Sequence, residues 1–484
     1  SGDGVREEEA AMGKKWVYLF SEVGDAERLA GSWDGARALL GGKGANLGDM
    51  TRLGVPVPPG FTVTTEACNA YLAAGNAFPE GLWEQELETL RRVEELTGKT
   101  FGDPSKPLLV SCRSGAKFSM PGMMDTVLNL GISDSTEAAL ARATGDAAFA
   151  RDTHRRFLDL YGRIVLKAVL PELDEHASPA DWRRAIEEAT GQAAPPSPAA
   201  QLAAAVQAVF ESWNSRRARR YRQHHGIPDS LGTAVTIQAM VFGNLDANSG
   251  TGVLFSRNPL TGDRAPYGEY LARAQGEDVV SGRYTPQPLS ALAAQMPAVH
   301  DELLQAAATL ERENGDVQDI EFTVQAGKLY LLQTRSAKRA PAAAVRFAVD
   351  MVAEGRIDEA TALTRVTAEQ VRTLLRPRLA DGAVEGATCL ARGEAACQGV
   401  GVGVVVTNTD EAERRALAGE AVVLARATTS PDDVHGMIVC RAVVTEQGGA
   451  TSHAAVVSRA LGVACVVGCG DGVLTALAGR TVTV

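Results

Sequence analysis

A chain of 484 residues that is 45% hydrophobic has room for two to four ordinary soluble-type cores. Its net charge of −11 argues against a general nucleic-acid or anionic-membrane surface, so a polyphosphate substrate would need locally clustered basic residues. Seven scattered cysteines give neither a disulfide framework nor a metal-type spacing, and no apolar run is long enough to span a membrane; a cytoplasmic chain is the simple expectation.

Residues 1–11 carry no apolar signal core and are read as a disordered extension before Met12. Lys15 to Phe20 reads as a first strand. Gly41-Gly42-Lys43-Gly44 to Gly48 follows, with a helix starting inside it. Glycines let a backbone approach phosphate and Lys43 supplies charge, although a plain Gly-rich turn has the same composition. Val55 to Phe61 is a stiff extended link into a strand, Thr62 to Thr64. Leu108 to Cys112 reads as a short strand running into a loop from Arg113 to Thr126, whose basic and small residues suit phosphates. Met120, Met123 and Met124 read as gap-filling core.

From Ser135 to about Gln223 the pattern is helical, with a break at Gly191–Pro198. Its arginines, Arg222 among them, read as solvated helix faces, and His224-His225 as a structural helix end. Thr233 to Phe242 and Val253 to Ser256 read as strands of a hairpin with a polar tip, Ser249-Gly250-Thr251-Gly252. Ser249 and Thr251 could hold phosphate there, or the tip could be a simple Gly-rich turn.

The stretch Asp316 to Arg335 reads as a second hairpin with alternating faces. A two-residue turn at Ala326-Gly327 would set Glu321 opposite Leu332. An odd-length loop sets Glu321 opposite Gln333, Asp319 opposite Arg335 and Phe322 opposite Leu332. Only the second register separates polar from apolar faces. It puts two oxygen ligands, Glu321 and Gln333, and an acid–base pair, Asp319 and Arg335, on one surface, which suits Mg²⁺ and a triphosphate.

Lys338 to about Glu385 is an Ala-rich helical linker, broken at Arg376-Pro377-Arg378. Beyond it strands alternate with short helices. Gly448-Gly449 makes a tight turn, Thr451 and Ser452 are N-cap residues, and a helix runs to Gly462. His453 then sits in the first turn, where the helix field disfavours an imidazolium; a neutral ring is a nucleophile for phosphorus.

The tract from Thr428-Thr429-Ser430-Pro431-Asp432-Asp433 through Cys469 resembles the phosphohistidine motif of the PEP-utilising enzymes, and most closely the pyruvate, phosphate dikinase family. The resemblance extends over nearly all of residues 12–484, including the glycines around Lys43, Gly268-Glu269-Tyr270 and Gln275 to Gly282. The Arg113–Thr126 loop looks like the dikinase loop and unlike that of the water-using PEP synthases, which favours inorganic phosphate as second acceptor. The 316–335 hairpin resembles the metal-binding end of an ATP-grasp domain. Two departures stand out: Cys397-Gln398-Gly399 replaces the family's usual Ser-Pro-Gly, and Ala450 its common Met.

The resemblance implies an α/β, multidomain (α+β) fold: an ATP-grasp nucleotide-binding domain with a helical insertion, plus a swivelling β/α phosphohistidine domain. Its expected divisions are 12–134 and 226–337 for the ATP-grasp subdomains, 135–225 for the helical subdomain, 338–385 for the linker and 386–484 for the phosphohistidine domain. The implied reaction converts ATP and phosphate to AMP and pyrophosphate, leaving a phosphoryl group on His453. In it Lys43, Arg113 and Arg335 neutralise phosphate charge, with Asp319, Ser249 and Thr251 beside them. Glu321 and Gln333 hold Mg²⁺, and Gly448, Gly449, Thr451 and Ser452 support the nucleophile. The family's PEP/pyruvate barrel has no counterpart here, so a monomer that passes its phosphoryl group to an acceptor domain or protein in trans is expected. Two other readings are a dikinase-type transferase acting on a different acceptor and a non-catalytic phosphocarrier or regulatory module.

Overall fold

Three sheets of five or six strands carry the fold of this computed structural model, beside a two-stranded pair of Thr100–Phe101 and Pro107–Leu108; it describes residues 13–484 apart from 124, 175, 195–196, 376–377 and 381. The expected extension 1–11, Met12, Met124 and the break at Arg376-Pro377 lie outside the described residues. The chain divides into two units after Val241.

In the first unit, β1 (Val17–Leu19), β2 (Gly60–Val63), β3 (Val110–Gly115), β4 (Thr126–Leu130) and β5 (Ala234–Ala239) form an antiparallel sheet in the order β1-β2-β5-β3-β4. Strand β5, expected with 226–337, is thus paired in this sheet between β2 and β3. It forms no hairpin with the strand that follows, because the two belong to different sheets. Helices Asp134–Thr144, Ala147–Leu160, Pro179–Thr190, Pro198–Ser212 and Arg216–His225 fill the helical stretch. Ser133, Asp146, Ser178, Ser197 and Ser215 cap their N-termini, and the expected break falls between Thr190 and Pro198. Arg222 departs from expectation. It is 1% exposed, stacks on Trp213 and bonds the Trp213 carbonyl and Asp229, because the guanidinium plane can be buried where its donors find oxygens.

In the second unit, β6 (Gly250–Phe255), β7 (Tyr267–Ala272), β8 (Gln287–Pro288), β9 (Gln318–Gln325) and β10 (Lys328–Ser336) form an antiparallel sheet in the order β8-β7-β6-β9-β10. One face is apolar: Leu254, Ile320, Phe322, Val324 and Leu331 are fully buried. The other carries Asp319, Glu321, Gln333 and Arg335.

The third sheet, also in this unit, has the order β11-β15-β14-β13-β12-β16, from β11 (Glu394–Cys397), β12 (Val402–Val406), β13 (Val422–Arg426), β14 (Ala442–Thr445), β15 (Ala464–Val467) and β16 (Thr481–Thr483). Its four central strands are parallel, and β13 and β14 are nearly all apolar because successive residues, which point to opposite faces, are both buried. Within 338–385 the helices are Pro341–Ala353, Glu359–Arg365 and Ala368–Leu375, and the first of them shares a core cluster, through Ala343, Phe347 and Met351, with Val253 and Phe255 of β6. No described helix is long and apolar enough to cross a membrane.

Candidate active site

In the first unit a helix Trp33–Arg52 carries the glycine stretch. Gly41 breaks it with φ 71° and ψ 166°, and the helix restarts beyond, inside the glycine stretch as expected. A side chain at Gly41 would meet the Gly115 carbonyl oxygen at 2.0 Å, so only glycine permits this approach. Lys43, one turn-start later, lies against Gly115 at the end of β3. Arg113 stands two residues earlier on the same face of that strand, not in the following loop. Met120 and Met123 are buried, as gap-fillers should be.

In the second unit the hairpin combines features of both expected registers. Gln325 pairs with Lys328, so the turn is the two residues Ala326-Gly327, both at positive φ (49° and 78°) as a type I′ turn requires. A β-bulge between Glu321 and Phe322 then shifts the register, leaving Phe322 opposite Leu331, Glu321 opposite Gln333 and Asp319 opposite Arg335. The bulge absorbs Leu332 and keeps the polar quartet on one face. The Arg335 Nε donates to Asp319 Oδ2 at 2.8 Å. Glu321 and Gln333 offer hard oxygen atoms side by side, a donor pair that fits Mg²⁺.

Ser249 and Thr251 do not form a polar tip. Thr251 lies within β6, 2% exposed, and its hydroxyl donates to the Phe322 carbonyl at 3.0 Å. The Ser249 hydroxyl donates to Asp246 at 2.6 Å and accepts from the Ala326 N–H at 3.0 Å. Both hydroxyls are committed to the sheet and its turn.

His453 opens the helix His453–Leu461. Ser452 occupies the N-cap position, yet its hydroxyl makes no capping bond and is buried without a partner. The Thr451 hydroxyl bonds Glu269 instead. The His453 Nδ1 lies 3.0 Å from the Thr429 hydroxyl, while Nε2 is buried without a hydrogen-bond partner. Burial pulls the ring's pKa down to about 4 against the opposing charge of Asp433, so the imidazole is neutral at physiological pH. Neutrality was expected, but its dominant cause is desolvation.

The loop before His453 rests on the polar face of the second sheet. Glu269 of β7 accepts from the Ala450 N–H at 3.1 Å and the Thr451 N–H at 3.3 Å. A side chain at Gly449 would meet Glu269 Oε1 at 2.3 Å, so the second glycine of the turn makes room for this carboxylate. In the register of β7, β6, β9 and β10, Glu269, Val253, Glu321 and Gln333 lie in one row. The tyrosine beside them, Tyr267, donates its hydroxyl to Glu394 at 2.7 Å. Sequence reasoning assigned no role to Glu269, Thr429 or Asp433. The contact of Glu269 depends on two sheets that the sequence does not juxtapose, and Thr429 reaches His453 where the loops after the neighbouring strands β13 and β14 come together.

Family comparison follows these elements. Residues 37–89 and 76–302 match the pyruvate phosphate dikinase AMP/ATP-binding domain, and residues 418–484 the mobile domain of the PEP-utilising enzymes. The chain belongs to the pyruvate, phosphate dikinase family. It is 46% identical to pyruvate, phosphate dikinase of Rhizobium meliloti over 94% of this chain and 54% of that protein. For the Clostridium symbiosum enzyme the identity is 44% over 94% and 54%, and for the chloroplastic Arabidopsis thaliana enzyme 1 it is 45% over 96% and 50%. The chain thus spans about half the length of the curated dikinases it matches.

Proposed function

We propose that this chain performs the ATP side of dikinase chemistry: with ATP and inorganic phosphate it phosphorylates His453 and releases AMP and pyrophosphate. The observation that carries the reading is a neutral His453, its Nε2 uncommitted, on a loop held against the face that bears Asp319, Glu321, Gln333 and Arg335.

With its proton on Nδ1, donated to the Thr429 hydroxyl, the ring presents a lone pair at Nε2. In this reading Nε2 attacks the β-phosphorus of ATP: the N–P bond forms, the bond to the α-phosphate oxygen breaks, and AMP leaves. The terminal phosphate then passes to inorganic phosphate as pyrophosphate, and the β-phosphoryl group stays on His453. The imidazolium formed keeps its Nδ1–H on Thr429, with Asp433 as the nearby negative charge. Lys43, Arg113 and Arg335 neutralise phosphate oxygens, and Asp319 orients Arg335. Glu321 and Gln333 would hold Mg²⁺, which when bound neutralises charge on the phosphates. The two subdomains are read as an ATP-grasp pair. The domain of 386–484 is read as the mobile carrier of a monomeric chain, delivering the phosphoryl group to a separate acceptor domain; pyruvate, named in the relatives, is the proposed final acceptor.

The test supplies the purified chain with phosphate, Mg²⁺ and ATP labelled at either the β or the γ position. Acid-labile, base-stable protein label from β-labelled ATP, absent in His453→Ala, is expected together with AMP. Label retained from γ-labelled ATP, with ADP as product, would overturn the reading in favour of a simple kinase.

A further inference from the structure

Arg459 lies in the last turn of the His453–Leu461 helix and is 3% exposed. Its Nη1 donates to the Ala396 carbonyl at 3.2 Å. Its Nε and Nη2 are buried without a hydrogen-bond partner. The guanidinium carbon stands 5.6 Å from the centre of the Phe255 ring. Phe255 pairs directly with Asp319 in the register of β6 and β9, so Arg459 reaches the Asp319 end of the polar face. Asp319 is also 3% exposed; its Oδ2 holds Arg335, and its Oδ1 is buried without a partner. Burial disfavours the Arg459 cation, and Asp319 is the foremost charge that favours it. A buried guanidinium with two uncommitted nitrogens and a buried carboxylate with one uncommitted oxygen therefore lie in the same region of the polar face, with no hydrogen bond between them. Orphans of this kind are costly, and more so when charged.

We propose that Arg459 is a positioning residue, carried on the mobile domain, that addresses Asp319 when His453 is brought to the nucleotide face. By drawing on the second oxygen of Asp319 it weakens that carboxylate's hold on Arg335, whose guanidinium then turns to a phosphate group. Arrival of the nucleophile and readiness of a phosphate-binding arginine are coupled through one carboxylate. The inference deepens the phosphotransfer reading and rests on it. A purely structural Arg459 would support only its own domain, through Ala396.

A double-mutant cycle on the full chain separates the two. The variants are Arg459→Met, Arg459→Lys, Asp319→Asn and the Arg459→Met/Asp319→Asn pair. The readouts are the rate of His453 labelling at saturating ATP, nucleotide affinity and the melting temperature. Expected are a labelling rate at least tenfold lower for Arg459→Met with ATP affinity within twofold of wild type, and partial recovery in Arg459→Lys. The double variant should be no slower than the slower single variant, because both remove one coupled contact. Losses that multiply in the double variant, or wild-type labelling in Arg459→Met, would overturn the proposal. If Arg459→Met fails to fold, the same cycle is run with Arg459→Lys and Asp319→Asn. Wild-type chain that never labels would overturn the phosphotransfer reading, whereas labelled wild type with uncoupled variants overturns this inference alone.

Discussion

At His453 and Glu86, burial shifts two ionisable groups in ways that give opposite dependences on pH. The His453 ring, usually near 6.5, is pulled to about 4. Between those values the unfolded chain binds a proton that the folded chain refuses, so this residue's share of stability is lost as pH falls from about 6.5 towards 4. The ring resonances in an NMR titration should move near pH 4; movement near 6.5 would mean that the site is wetter than its burial implies. Glu86 is 0% exposed, both its oxygens lack partners, and burial pushes its pKa up to about 8 from 4.5. Here the folded chain keeps a proton that the unfolded chain has lost, so stability falls as pH rises through that window. Glu86→Leu removes the orphaned carboxyl at similar volume. It is expected to raise stability at pH 8 by on the order of a few kcal/mol, and by much less at pH 5. An equal gain at both pH values in chemical denaturation would show that Glu86 does not titrate in this range.

Among the elements, the β9–β10 hairpin was legible because alternation of polar and apolar residues has a period of two, and a slip by one residue would bury the carboxylates. Its bulge was not legible: a bulge and a longer loop give the same polar pairing, and only the pairing of Gln325 with Lys328 separates them. Strand β5 has the same limitation. Its apolar run marks a strand, but its partners β2 and β3 are distant in sequence. The missed Glu269 is a carboxylate within a strand whose role appears only when a second sheet's loop arrives. The linker's first helix is likewise tied down by a contact with no local signal. Arg257, just after β6, bonds Glu311 at 2.9 Å and grips Glu354, at the helix end, through two bonds of 2.9 and 2.7 Å. Both Arg257 and Glu311 are buried. Arg257→Met would leave Glu311 buried without this partner, and the expected cost is about 3–5 kcal/mol in denaturant unfolding. Loss below about 1 kcal/mol would show that Arg356, 3.7 Å from Glu311, takes over the charge.

At the scale of the whole molecule, the proposed function asks the chain to hold His453 at the nucleotide face and also to let it leave. The Glu269 contact has the right character for such a reversible hold. The carboxylate is 7% exposed, and burial raises its pKa while the Thr451 hydroxyl and the two backbone N–H groups oppose that shift. A buried charge that spends much of its hydrogen bonding on its own desolvation gives geometry at a small net gain in free energy. The contact should therefore open without unfolding the domain that makes it. Hydrogen exchange reads this directly, because the Ala450 and Thr451 amides are the donors. In Glu269→Ala, exchange across 449–452 should rise tenfold or more, while amides in the parallel ladder of β13 and β14 stay protected. Faster exchange throughout 386–484 would make Glu269 a support of that domain's fold. Unchanged exchange at 449–452 would mean that the loop is held without it, and that the hold on His453 comes from elsewhere.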